Sequence, residues 1–189
     1  MISLRVLCPE DENLLLSWRN KPDVAQWMYA EGLVTPIEHH GWFKRILAGG
    51  NWRYWVVVAD ERSVGIVNLT KISTHQRCCE FGMYVGEESA RGTGAAAAAV
   101  YLALDQAFDV LQMHRVVCEA LAHNDRAIGL YERIGFRREG LLRERIPRDG
   151  TYLDVAVLAV LASEWSTLRP GLSHQLSERN LIERGDVHE

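Results

Sequence analysis

The chain has 189 residues, 48% of them hydrophobic, and a formal net charge of −4 because 25 acidic side chains outnumber 21 lysines and arginines. A domain of this size buries about 70% of its unfolded surface, so it can fold without disulfides or a metal. The length excludes two large domains, and the negative charge argues against a general nucleic-acid binder. We expect residues 1–168 to form one domain and residues 169–189 a polar C-terminal tail, which is either a peripheral helix or a frayed end.

The cysteines and the N-terminus indicate the compartment. Cys8, Cys78, Cys79 and Cys118 show neither a metal-binding spacing nor the pattern of a small disulfide-rich domain, so free thiols are expected. The N-terminus lacks an apolar segment after a basic start, and no uncharged apolar run reaches the roughly 18 residues that span a bilayer. We expect a cytoplasmic protein with no bound metal and no membrane partner.

Apolar periodicity and turn residues predict the elements in chain order. The first are a strand at 2–7, a helix at 10–18, a short segment around 25–28, and a helix from the capping box Thr35-Pro36-Ile37-Glu38 to about Ala48. An antiparallel hairpin at 54–59 and 64–70, a strand at 80–85, a polar loop at 86–94 and a helix at 95–110 follow. The last are a strand at 115–121, a helix at 125–134, and strands at 136–142 and 153–161 with a turn at Gly150. This order predicts an α/β (α+β) domain with a mixed, mainly antiparallel central sheet and helices on both faces.

The loop Arg91-Gly92-Thr93-Gly94-Ala95-Ala96 joins a predicted strand to a predicted helix. Unpaired backbone N–H groups and the dipole at a helix N-terminus attract phosphate, and glycines let the amides turn toward it. The glycines could equally serve only a tight turn. No Gly-Lys-Ser/Thr follows them, which argues against a P-loop, and the position after an antiparallel pair disfavours a dinucleotide fold.

A second motif, from Asn124 to Phe136, follows about thirty residues later. Arg91-x-x-Gly94-x-Ala96 followed by Asn-x-x-Ala-x-x-Leu-Tyr-Glu-Arg-x-Gly-Phe resembles the paired signature of the GCN5-related N-acetyltransferases. The resemblance implies that fold, acetyl-CoA as acetyl donor, and a homodimer, since family members are often dimers. Alanine is permitted at position 96, where glycine is common. The cofactor-binding residues it implies are Met83, Tyr84, Val85, Arg91, Gly92, Thr93, Gly94, Ala95, Ala96, Asn124, Ala127 and Tyr131.

Acetyl transfer needs a neutral amine, donors for the developing oxyanion and a proton for the departing thiolate. The resemblance makes Tyr131, which we expect at the start of its helix, the proton donor; a half-buried core tyrosine is the alternative. Glu80 and Glu119, on predicted strands beside the cofactor, are candidates for the base. An ordered water chain would serve equally, and either carboxylate could instead pair with an arginine.

The first third of the chain is expected to bind the acceptor. Its Ser17-Trp18-Arg19-Asn20, Trp27-Met28 and His39-x-x-Trp42-Phe43, with Phe81-Gly82-Met83-Tyr84, resemble the branch of the family that acetylates a UDP-linked 4-amino-4,6-dideoxy sugar in pseudaminic acid synthesis. Aromatic and sulfur side chains would hold a uracil, and cations the diphosphate. The expected acceptor-binding residues are Arg19, Met28, His39, Trp42, Phe43 and Tyr84.

These assignments have alternatives. Trp18, Trp42 and Phe43 have a spacing common in helix cores, and Arg19 could pair with Asp23. The same fold also serves acetylation of protein N-termini, polyamines and aminoglycosides. A polyamine or aminoglycoside site should be lined with carboxylates, which the first third of the chain does not indicate. A non-catalytic acyl-CoA-binding module would have no need of Tyr131.

Overall fold

The computed structural model describes residues 1–183. In chain order its helices and strands are β1 (Ile2–Val6), α1 (Glu12–Arg19), α2 (Pro22–Ala25), α3 (Pro36–Leu47), β2 (Arg53–Ala59), β3 (Arg62–Ser73), β4 (Cys78–Val85), α4 (Ala95–Asp105), β5 (Arg115–Leu121), α5 (Asp125–Ile134), β6 (Arg137–Arg148), β7 (Thr151–Leu161) and α6 (Ala162–Glu178). Short 3₁₀ turns at Pro9–Asp11 and Glu88–Ala90 precede α1 and α4.

The seven strands form one sheet in the order β1-β2-β3-β4-β5-β7-β6. Every neighbouring pair is antiparallel except β4 and β5, which run parallel. A parallel pair needs a crossover, and α4 supplies it. The mixed, mainly antiparallel sheet predicted from the sequence is confirmed.

Helices cover both faces of this sheet, as predicted. On one face α4, α5 and α6 bury the larger core, in which Ala98, Ala99 and Leu104 of α4 are fully enclosed. On the other face α1 and α3 pack through Trp18 and Phe43 onto β2 and β3. Small residues along α4 let the helix approach the sheet closely, which explains the alanine run.

Several boundaries differ from the prediction, and three of the differences are the most informative. The helix from Ala95 ends at Asp105 and continues as a π-helical turn over Gln106–Val110. The β6–β7 hairpin is longer than expected and turns at Asp149 and Gly150, which both have positive φ, 50° and 73°. α6 runs across the boundary expected at residue 168, so the start of the predicted tail is helical; residues 184–189 lie outside the described chain.

Candidate active site

A cleft opens where β4 and β5 separate. The two strands pair from Cys78↔Arg115 to Phe81↔Cys118, and their later residues have no partner across this seam. β4 continues paired only with β3, and β5 only with β7. The two facing edges therefore leave backbone N–H and C=O groups for a ligand in extended conformation, because such groups require partners when water is excluded.

Tyr131 lies at the apex of this cleft. Its ring packs edge-on against Phe81, the last paired residue of β4, at 5.8 Å between centroids, and against Phe136 at 5.7 Å. Burial, with a smaller effect from Cys118, raises the pKa of Tyr131 above its ordinary value. The hydroxyl is therefore protonated at neutral pH. The residue occupies the later part of α5, not its start as we expected.

The two candidate bases lie on the sheet face opposite Tyr131, since they alternate along their strands with the core residues Cys79, Phe81 and Cys118. Glu119 is the first residue of β5 beyond the last pair with β4. Its Oε2 accepts a hydrogen bond of 3.0 Å from the Tyr29 hydroxyl. Its carboxylate therefore sits at the apex, beside the unpaired edge.

Glu80 has a different environment. It still pairs with Val117 on β5, and its Oε1 lies 2.7 Å from Nζ of Lys71. The arginine pairing considered for this residue is thus replaced by a lysine. Because the Lys71 ammonium stabilises the carboxylate, Glu80 is the weaker candidate for the base.

The loop before α4 has the conformation expected of an anion site. Gly92 and Gly94 have φ of 79° and 100°, a region that favours glycine. Thr93 is exposed, and its hydroxyl holds the loop by donating to the Ala90 carbonyl at 2.8 Å and accepting from the Ala95 amide at 3.3 Å. Ala96 and Ala97, in the first turn of α4, are half-exposed, so their amides are within reach of a ligand.

Arg91 behaves differently from the expectation for a pyrophosphate ligand. Its guanidinium forms an ion pair with Asp23 of α2 and donates to the Val85 carbonyl at 3.2 Å. Asp23 therefore pairs with Arg91 and not with Arg19, as the sequence had allowed. The ion pair connects the predicted acceptor side of the molecule to the predicted phosphate loop.

The remaining predicted cofactor residues occupy the same region. Met83 and Val85 follow the point of divergence on β4 and are half-buried against the larger core. Asn124 caps α5, with its Oδ1 accepting from the Ala127 amide at 3.1 Å. This hydrogen bond fixes both residues at the start of the helix that carries Tyr131.

Two of the predicted acceptor residues are part of the hydrophobic core. Phe43 is 1% exposed, and His39 is 4% exposed with its Nε2 hydrogen-bonded to the Glu12 carbonyl at 2.9 Å. Burial lowers the pKa of His39, so it stays neutral at pH 7. Trp42 is half-buried against His39 and stands edge-on to Tyr54 at 5.8 Å. Neither His39 nor Phe43 is accessible to a substrate. Their helical spacing suggested a binding surface, but this spacing belongs to the face of α3 that packs into the core.

Arg19 and Tyr84 do come together, and Met28 is linked to them through Arg148. The Tyr84 side chain lies near the Arg19 guanidinium, and Arg19 Nη2 donates to the Ala30 carbonyl at 3.3 Å. Arg148, at the end of β6, approaches Arg19 and donates to the carbonyls of Gln26, at 3.2 Å, and Met28. The segment from Met28 to Ala30 thus contacts both arginines through its carbonyls and Glu119 through the Tyr29 hydroxyl; we call the region that these contacts join the groove.

This groove carries two cations that are incompletely paired. Within residues 1–183, Arg19 Nη1 and Arg148 Nε are buried and have no hydrogen-bond partner, and neither side chain forms a salt bridge. Because both guanidinium groups also donate to backbone carbonyls, only one nitrogen of each is unsatisfied; a buried donor without a partner costs about 1–3 kcal/mol, and two like charges add to that cost. An anion placed between them would satisfy both.

Sequence reasoning missed Tyr29, Lys71 and Arg148. Tyr29 directly follows the predicted Trp27-Met28 pair, so its neighbourhood carried a signal. Arg148 is more than a hundred residues from Arg19 in the chain, and only the β6–β7 hairpin brings the two together. Lys71 follows Thr70, the strand partner of Glu80, and its side chain reaches the Glu80 carboxylate.

No group of three or more histidine, cysteine, aspartate or glutamate side chains is placed to hold a metal ion in residues 1–183. All four cysteines are free thiols. No helix in that range is long and apolar enough to span a membrane.

Comparisons with known proteins agree with this geometry. A family model described as "Acetyltransferase (GNAT) domain" matches residues 2–137. The spermidine N(1)-acetyltransferase of Vibrio cholerae is 28% identical over 165 residues, covering 87% of this chain and 95% of the relative. The acetyltransferase PseH of Campylobacter jejuni is 26% identical over 127 residues, covering 67% of this chain and 77% of the relative.

Solved structures give the same result. A crystal structure of spermidine N-acetyltransferase from Vibrio cholerae, in complex with CoA and spermine, superposes with a TM-score of 0.81 at 26% identity, covering 87% of this chain and 98% of that one. The family match, the splayed β4–β5 pair and the loop before α4 together indicate one activity. The chain belongs to the GCN5-related (GNAT) acetyltransferases and is an acetyl-CoA-dependent N-acetyltransferase.

Proposed function

We propose that the acceptor is an amino sugar linked to a nucleoside diphosphate, and that its 4-amino group is acetylated, as in pseudaminic acid-type biosynthesis. The observation that carries this proposal is the cationic groove formed by Arg19 and Arg148, each with a buried guanidinium nitrogen that lacks a partner. A diphosphate is the part of such a substrate that would satisfy both. Similarity to the PseH acetyltransferase and the nearby Tyr84 and Met28, suited to a uracil, support the same substrate class.

The order of residues along the cleft suggests how the reaction proceeds. Acetyl-CoA, bound between β4 and β5 with its pyrophosphate at residues 91–96, supplies the activated acetyl group. Backbone N–H groups on the unpaired edge of β4 donate to the carbonyl oxygen as negative charge develops on it. Glu119 accepts the proton of the acceptor ammonium, directly or through water, and frees the nitrogen lone pair for attack. Tyr131 donates its proton toward the sulfur as the C–S bond breaks, and the second proton that the nitrogen loses as the amide forms restores the Tyr131 hydroxyl.

Acid and base therefore act from opposite faces of the sheet. Tyr131 packs with Phe81 on the α5 face, while Glu119 and Tyr29 lie on the face to which the groove leads. The reacting carbonyl would lie between them, at the last β4–β5 pair. The nucleophile and the leaving group are thus served by different residues, as direct attack in a ternary complex requires.

A polyamine acceptor is the second candidate. The similarity to spermidine acetyltransferases spans more of this chain than the similarity to PseH, and Glu80 and Glu119 give the acceptor face two carboxylates. The Glu80 carboxylate is neutralised by Lys71, and the groove beyond Glu119 is cationic. A polycation would meet Arg19 and Arg148 there, so this candidate is the weaker one.

Substitution of Arg19 separates the candidates. In Arg19→Ala we expect the KM for a UDP-linked 4-amino sugar to rise about tenfold or more, as loss of a charge-assisted hydrogen bond implies, with the KM for acetyl-CoA unchanged. Arg53→Ala, which removes an exposed arginine at the far end of β2, is the matched control. A lower KM for spermidine in Arg19→Ala, with no change for the sugar, would favour the polyamine. Loss of acetyl-CoA affinity would show that the groove is wrongly assigned.

The cytoplasmic location and the homodimer stay predictions. Size-exclusion chromatography with light scattering tests the dimer directly, with a mass near twice 21.4 kDa expected.

A further inference from the structure

The chain continues past the residues that the family model matches, and its last described segment is docked on the domain. The family model ends at residue 137, and β6, β7, α6 and residues 179–183 follow. The Ile2 amide donates to the Leu181 carbonyl at 2.7 Å, and Ile182 is 6% exposed in the larger core. The segment Arg179–Ile182 is therefore fixed in place beside β1.

This segment reaches the phosphate loop. A Cβ built on Gly94 would lie 2.5 Å from Leu181 Cδ1 and 3.3 Å from Arg179 Nη2. Gly94 precedes the first turn of α4, whose amides are the expected pyrophosphate ligands. The Arg179 guanidinium thus lies within about one side-chain length of those amides. Gly94 serves this contact as well as the turn, because any side chain there would displace Leu181.

Among residues 1–183, the arginine of the loop itself is already engaged. Arg91, the residue expected to bind the pyrophosphate, is paired with Asp23 and the Val85 carbonyl. Arg179 is exposed, and among residues 1–183 no carboxylate forms an ion pair with it. Glu87, in the segment leading to the loop, is held by Trp18 and Lys21. A guanidinium next to a helix N-terminus is electrostatically unfavourable, and an anion bound between them would relieve this repulsion.

We propose that Arg179 binds the pyrophosphate of acetyl-CoA and that the segment Arg179–Ile182 is part of the cofactor site. Arg179 supplies a positive charge at the loop, where the charge of Arg91 is neutralised by Asp23. The contact between Leu181 and Gly94 keeps Arg179 beside the loop. The inference rests on the placement of the pyrophosphate at residues 91–96 and is independent of the acceptor. It assigns a cofactor role to residues beyond the matched family domain.

Calorimetric titration of the full chain with CoA tests this without any acceptor. We expect Arg179→Ala to weaken CoA binding about tenfold and Arg179→Lys to weaken it by less, because lysine keeps the charge without the planar fork. Dephospho-CoA, which keeps the pyrophosphate and lacks the 3′-phosphate, should show the same loss. The control Arg45→Ala, at an exposed arginine of α3, should bind both ligands like the wild type.

Three results would overturn the proposal. Equal CoA affinity in Arg179→Ala and the wild type would remove Arg179 from the site. A loss seen with CoA but absent with dephospho-CoA would assign Arg179 to the 3′-phosphate instead. An equal loss of CoA affinity in Arg45→Ala would show that the effect comes from the net charge of the protein. The underlying site has its own test: Ala96→Glu places a carboxylate in the first turn of α4, and unchanged CoA affinity there would show that the pyrophosphate lies elsewhere.

Discussion

Replacement of Tyr131 by phenylalanine removes one oxygen from the apex of the cleft and leaves the packing in place. The ring contacts with Phe81 and Phe136, at 5.8 and 5.7 Å between centroids, do not involve the hydroxyl. We therefore expect the stability of the fold and the affinity for acetyl-CoA to change little. The effect should appear in kcat.

The size of the effect follows from the proton affinities at this position. Burial raises the pKa of Tyr131 above about 10, whereas a free thiol has a pKa of about 8.5, so proton transfer in water would run uphill. Inside the protein, however, the pKa of a thiol differs from its value in water. Burial also raises the pKa of the neighbouring Cys118 thiol, so the same environment disfavours both the tyrosinate and a thiolate. Proton donation by a positioned side chain generally contributes about a hundredfold or more, which corresponds to roughly 3 kcal/mol of barrier.

Thiol release from acetyl-CoA, followed with a disulfide reagent at saturating substrates, measures this loss. We expect kcat of Tyr131→Phe to fall about a hundredfold with Kd for CoA within about twofold of wild type. Because the pKa of Tyr131 is raised, its hydroxyl stays protonated across the neutral range, and wild-type kcat should show no alkaline decline from this group below about pH 10. Equal turnover in the two proteins would remove Tyr131 from the mechanism.

Two further pairs of substitutions test the base and the contact between Trp18 of α1 and Gly86. Glu119→Gln should lower kcat/KM about a hundredfold by removing the proton acceptor, while Glu80→Gln, at a carboxylate held by Lys71, should change it less than about threefold; similar effects in both would refute the choice of base. Gly86→Ala would drive a methyl group into the Trp18 indole and should cost about 1–3 kcal/mol in urea unfolding, because an overpacked core is destabilised. Gly140→Ala, where nothing lies within 4 Å of the new methyl group, is its control, and equal midpoints would contradict the packing argument.

The sequence predicted the fold well because its information is local. Strand alternation, the Thr35 capping box and the glycines at 92, 94 and 135 each determine backbone conformation over a few residues, and the structure has them where expected. The helix from Ala95 was predicted too long, because the residues that end it at Asp105 are ordinary helix formers. Only the tertiary packing of the following π-helical turn decides that boundary.

The acceptor residues were harder to predict because helical spacing does not say which face is buried. His39 and Phe43 have the same spacing whether they face the core or a ligand, and the structure encloses both. The arginines of the site show a second limit of prediction from local sequence patterns. Arg91 and Asp23 are far apart in the chain, as are Arg19 and Arg148, and no local pattern reports which arginine keeps an unpaired nitrogen.

The measurement that tests the account most directly is the rate of thiol release with each class of acceptor amine at equal concentration. UDP-4-amino-4,6-dideoxy sugars, spermidine, an aminoglycoside and an N-terminal peptide would be compared at saturating acetyl-CoA. We predict that kcat/KM is highest for the nucleotide-linked sugar and that free UDP inhibits competitively against it. Turnover with spermidine, the aminoglycoside or the peptide alone, without inhibition by UDP, would contradict the nucleotide-sugar assignment and leave the fold and the acetyl donor in place.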